Sequence, residues 1–129
     1  MRVTAYQYDR DLKTVDLGQC DVDRALAILD ERYANGLRAY EYGEDALVAT
    51  SFGLSRSAYD FVSFTCNGQD NILVTLDRIS DRPWWTNIIR SKESMEIPCD
   101  IQSARGVIQD YCTMDRAEFE LKYEKFACY

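Results

Sequence analysis

Hydrophobic and polar positions along this chain follow two different periods, and the switches between them divide it into elements. In residues 2–8, Val3, Ala5 and Gln7 fall on one side and Thr4, Tyr6 and Tyr8 on the other, the two-residue period of a half-exposed strand. Asp9-Arg10-Asp11 reads as a turn, and residues 14–17 as a short partner strand ended by Gly18. The period then becomes helical. Val22, Ala25, Leu26, Leu29 and Tyr33 recur on one face, and Asp21 stands where a carboxylate accepts from the free amides of a first turn. Asn35-Gly36 supplies a stop, because glycine tolerates the left-handed conformation that closes a helix. The spacing predicts a helix over residues 21–35.

Residues 37–79 return to alternation and read as an antiparallel β-meander. Its predicted strands are 37–42 and 46–52 around a turn at Gly43-Glu44-Asp45, then, after a break at 53–57, 58–66 and 71–79 around Asn67-Gly68-Gln69-Asp70. Asn-Gly between β-branched and aromatic runs is a strong hairpin signal, because a tight turn needs positive φ. The later strands are apolar on both faces: Tyr59 and Phe61 oppose Val62, Phe64 and Cys66, and Leu73 and Ile79 oppose Ile72, Val74 and Leu76. Such strands belong near a sheet centre, covered on each face by helices or by a partner. Residues 80–85 form a loop with Pro83, Trp84 and Trp85; adjacent extended positions point opposite ways, so at most one ring reaches the core, and the pair either lids the end of the sheet or offers a ring to a partner. Residues 86–92 suggest a short helix and 93–98 a connector. Asp100 caps a helix running to Tyr111 or Cys112, and Asp115 with Glu118 starts a last helix reaching Phe126. The expected architecture is one α+β domain over residues 1–129. About four to five antiparallel strands pack with one helix from the N-terminal half and with the C-terminal helices.

Composition narrows the chemistry. Histidine is absent from the 129 residues, which removes the usual general base and excludes Ser-His-Asp and Cys-His arrangements within one chain. The five cysteines are scattered without CxxC or zinc spacing, as suits a reducing compartment. Asp9-x-Asp11 and Asp21-x-Asp23 fit a turn and a helix cap better than a metal site, and the isolated glycines build no phosphate loop. No metal or cofactor is expected. The N-terminal residues 1–6 lack the apolar core of a signal peptide, and no run approaches the roughly 20 apolar residues of a membrane span, so a cytoplasmic location is expected.

The formal charge is −7, and it is uneven: residues 1–45 hold 10 acidic and 6 basic side chains, whereas 46–90 hold 4 of each. This balance disfavours nucleic acids and anionic membranes and suits a basic protein partner. In size, acidity and class the chain resembles the immunity proteins that bacteria make against secreted toxins. That resemblance implies a non-enzymatic inhibitor that occludes the active site of a cognate toxin. The expected partner-binding residues, read from charge and from the enrichment of tryptophan at interfaces, are Asp30 and Glu31 on the first helix, Glu41, Glu44 and Asp45 at the turn, and Trp84 and Trp85 in the loop. Three alternatives stay open: a small-ligand domain, a carboxylate-dependent enzyme with a pocket between the sheet and the C-terminal helices, and a homodimeric assembly module.

Overall fold

Seven antiparallel strands form one sheet, ordered β2-β1-β3-β4-β5-β6-β7, in the computed structural model, which describes residues 2–57, 60–78, 93–123 and 127–128. In chain order the elements are β1 (Thr4–Tyr8), β2 (Thr14–Gln19), α1 (Val22–Gly36), two 3-10 turns (Ala39–Glu41 and Gly43–Asp45) and α2 (Ala46–Thr50). Then follow β3 (Ser51–Ser57), β4 (Asp60–Cys66), β5 (Ile72–Arg78), β6 (Glu93–Cys99), α3 (Ile101–Thr113), α4 (Arg116–Tyr123) and the short β7 (Ala127–Cys128). The fold is α+β, as the alternating periods imply.

Helices α1 and α3 pack side by side on one sheet face, α1 over β3 and β4 and α3 over β5 and β6. The buried residues along the strands recur at period two: Phe52 and Leu54 on β3, Val62, Phe64 and Cys66 on β4, Ile72, Val74 and Leu76 on β5. Their registers place them in rows beneath the helices, with Phe52 directly opposite Phe64 and its ring stacked at 4.9 Å. Ala25 and Leu29 of α1 and Ala104, Val107, Ile108 and Tyr111 of α3 close the core from above. Each fully buried leucine, isoleucine or phenylalanine contributes about 1.5–3 kcal/mol.

The caps follow the sequence. Asp21 and Asp100 accept from the amides of Arg24 and Ser103 at 2.8 and 2.7 Å, and Asp115 from that of Glu118 at 2.8 Å. Residues 67–70 form the expected tight turn, with left-handed φ at Asp70 and positive φ at Gly68.

Three expectations are corrected. Residues 37–50, read as strand, are helical turns and α2; only the last part of the predicted 46–52 strand, from Ser51, joins the sheet. The sheet has no place for a 37–42 strand, because β3 already pairs with β1 on one side and β4 on the other. The segment instead folds back on α1, where Tyr42 donates its hydroxyl to Asn35 Oδ1 at 2.9 Å and Asn35 Nδ2 donates to the Ala49 carbonyl at 2.8 Å. The supposed break at 53–57 is β3 itself. The supposed connector at 93–98 is β6, with Pro98 beyond the stretch paired to β7, where a missing N–H costs no ladder bond. The predicted short helix at 86–92, the Trp84-Trp85 loop and Phe126 lie outside the described residues.

Candidate functional site

Two surfaces stand apart from the core, and the first is acidic. The segment between α1 and β3 carries Glu41, Glu44 and Asp45, together with the exposed apolar residues Leu37, Tyr40 and Leu47; Tyr40 is 82 % exposed. Asp45 pairs with Arg10 of the β1–β2 turn at 2.9 Å, and Glu41 lies 3.9 Å from Arg38. Glu44 is exposed and holds no ion pair or hydrogen bond among the described residues. The hairpin turn expected here is helical, yet its carboxylates point outward and are held on one segment.

The two α1 acids are not part of that cluster. Arg105 draws Asp30 toward α3 through a 2.6 Å ion pair. Glu31 sits 3.1 Å from Arg32, whose guanidinium reaches Gln7 of β1 at 2.9 Å. Successive helical positions diverge by about 100°, so Asp30 and Glu31 face different neighbours. Trp84 and Trp85 lie outside the described residues.

The second surface was not anticipated. On the sheet face opposite α1 and α3, β2, β1, β3 and β4 line an open groove of about 570 Å³. Its aromatic side chains are Tyr6, Tyr8 and Phe61, its hydroxyls come from Thr4, Thr14, Ser55 and Ser57, and Arg2 and Asp16 supply one charge of each sign. Tyr6 stands opposite Gly53 in the β1–β3 register, and a Cβ built on Gly53 would fall 2.0 Å from its ring. The ring therefore lies directly on the glycine backbone. Tyr8 meets it edge-on at 5.8 Å and 89°. Arg56 also borders the groove, but its guanidinium turns to the helical side.

A smaller cavity of about 270 Å³ lies between β6 and the C-terminal helices, where a ligand pocket was expected. Ile97, Cys99 and Val107 make it largely apolar, and Tyr123, also in its lining, already donates its hydroxyl to Asp110 at 2.6 Å.

The thiols of the described residues are not activated. Burial pushes the thiols of Cys66, Cys99 and Cys112 up to about 11, with desolvation the largest cause in each. They are protonated at neutral pH, and a thiol is a poor nucleophile and metal ligand. Among the described residues no group of three or more metal-binding side chains converges. Asp9 instead accepts from the amides of Asp11 and Lys13, as a turn residue does. These raised thiols also predict an alkaline limit. The folded state holds protons that the unfolded chain releases from 9.0, so their stabilising contribution is complete below that pH and is lost as pH rises toward about 11. The urea midpoint should fall across this window; a flat profile would contradict it.

The outer strand β2 gives little purchase for strand pairing. Gly18, at φ +89°, sits beside an irregular register with β1, and Arg24 of α1 donates to the Gln19 and Leu17 carbonyls at 2.9 and 2.8 Å. Bulges and charged covers of this kind protect sheet edges. Among the described residues, no helix is long and apolar enough to cross a membrane. Compared with known proteins, the chain matches no family model, no curated protein and no solved structure.

Proposed function

We propose that this chain is a protein-binding inhibitor of the immunity-protein kind, which neutralises a toxin or effector by covering its basic active site. The observation that carries this reading is the segment between α1 and β3, where Glu41, Glu44 and Asp45 stand beside exposed Leu37, Tyr40 and Leu47. An apolar anchor ringed by charge is the composition of an energetic interface centre with a steering rim. The net charge of −7 favours a basic partner over any anionic surface. The protein then acts without catalysis, by occlusion in the cytoplasm of the cell that makes it.

The test is co-purification of the tagged chain with the products of adjacent reading frames, followed by assay of any stoichiometric basic partner, free and bound. Suppression of the partner's activity in the complex, with release at high salt, is the expected result. Recovery of the chain alone, or of a partner whose activity is unchanged, would reject the reading. Within the complex, the double substitution Glu44→Lys and Asp45→Lys should slow association about tenfold or more and flatten its salt dependence, with a smaller change in dissociation. Unchanged rates at low salt would remove this segment from the interface.

A further inference from the structure

We propose that the open groove on the sheet is a binding site for a neutral, polyhydroxylated ligand, an oligosaccharide. Three observations converge on that class. The Tyr6 ring rests with one side against Gly53, and Tyr8 stands perpendicular to it, so the two rings make a floor and a wall. Aromatic faces of this kind pack against the C–H faces of a pyranose ring. Around them, Arg2 and the hydroxyls of Thr4, Tyr8 and Thr14 carry no side-chain hydrogen bond or ion pair among the described residues, although all line the same groove. Donors and acceptors left without internal partners around an aromatic floor suit a ligand that presents many hydroxyls.

Charge selects among ligands. In a chain of net charge −7, the groove is bordered by Arg2, Arg56 and Asp16; the Arg56 guanidinium is turned to Tyr111 on the helical side, and Asp16 Oδ1 already accepts from the Gly18 amide at 2.6 Å, which leaves Arg2 and Asp16 as its charges. A cationic side chain would meet Arg2 and an anionic one Asp16, whereas a neutral sugar meets both as hydrogen-bonding groups. The open shape accommodates a chain of sugar units running across β2, β1 and β3. This site shares no lining residue with the acidic segment, and its existence does not depend on the inhibitor reading.

The test is a titration of the isotope-labelled full chain with cellohexaose, chitohexaose and maltohexaose, each taken to about 10 mM, monitored by amide resonances. At least one sugar should shift the amides of residues 4–8, 14–16 and 55–57 and leave those of α3 in place. Tyr6→Ala should weaken that binding at least about tenfold. Thr14→Val, on an exposed edge strand and therefore tolerated by the fold, should weaken it about threefold, since it removes one hydroxyl and keeps the shape. No response to any of the three sugars overturns the proposal. So does binding that survives both substitutions, or a groove that answers a deca-arginine peptide instead, which would assign it to a basic protein partner.

Discussion

Asp60→Ala is expected to lower the stability of this fold by about 3–5 kcal/mol, because it strands a buried guanidinium. Arg56 and Asp60 have side chains only 7 % and 8 % exposed, and they meet at 2.8 Å where β3 turns into β4. The Arg56 guanidinium stacks 4.2 Å above the Tyr111 ring and donates to the carbonyls of Tyr111 and Met114, the otherwise open C-terminal end of α3. Tyr111 donates its hydroxyl back to the Asp60 carbonyl at 3.0 Å and to its carboxylate at 3.2 Å. Burial, followed by the Asp60 charge, holds the phenol far above its usual range, so it remains a donor at any ordinary pH. The cluster thus joins a helix end to a strand turn through largely buried charged and polar groups. With a typical domain holding only about 5–15 kcal/mol in total, the loss would take away a large share. The double variant Arg56→Met with Asp60→Ala should recover part of it, since no charge is then left unpaired. Urea unfolding with an unchanged slope distinguishes these outcomes; a single variant within about 1 kcal/mol of the parent would mean that water or rearrangement satisfies the arginine.

This cluster leaves no mark in the sequence. Arg56 lay in a stretch read as a break, because Gly53, Ser55 and Ser57 lack the bulky residues that mark a strand. In the sheet those three residues face the groove, while Phe52, Leu54 and Arg56 face the helices, so the alternation was present with small side chains on one side. The later strands, β4 and β5, were legible because large β-branched and aromatic residues fill their inward positions and a glycine turn joins them. The helices α1, α3 and α4 were legible from spacing and from aspartates placed to cap them. Residues 37–50 misled because two tyrosines at alternate positions imitate a strand, whereas the deciding factor was tertiary: β1 and β4 occupy both sides of β3.

The same logic separates the two surfaces. Glu41, Glu44 and Asp45 could be singled out from charge alone, because neighbours in sequence remain neighbours on a short turn, whatever its conformation. The groove needed the sheet order. Tyr6 and Gly53 are far apart in the chain and meet only because the chain leaves β2, crosses the sheet face through α1 and returns on the other side of β1. A glycine beneath a tyrosine leaves no periodic trace. The one sequence mark of this contact is a glycine inside an otherwise regular alternation.

Glycine size gives the last expected result, and it runs against helix propensity. Gly36→Ala places a preferred helix former in the last turn of α1, a change worth up to about 1 kcal/mol of stabilisation on propensity alone. Gly36 was expected to stop α1 by turning left-handed; instead the next residue stays right-handed and the chain runs on into helical turns. What the position requires is closeness: a Cβ would lie 2.5 Å from the Cys66 carbonyl oxygen and 3.0 Å from its carbon. Both are backbone atoms of β4, a strand held on each side by its neighbours, so they cannot yield as a flexible side chain would. Helix α1 must then lift away from the sheet, loosening Leu29 and its contacts, and overpacking of this kind costs about 1–3 kcal/mol. Gly106 on α3 provides the contrast, because nothing lies within 4 Å of its would-be Cβ. Gly106→Ala should therefore stabilise by about 0.5–1 kcal/mol, while Gly36→Ala destabilises, in the same urea experiment. Equal gains at both positions would show that α1 tolerates displacement from β4, and that the tight contact does not govern how helix and sheet are held.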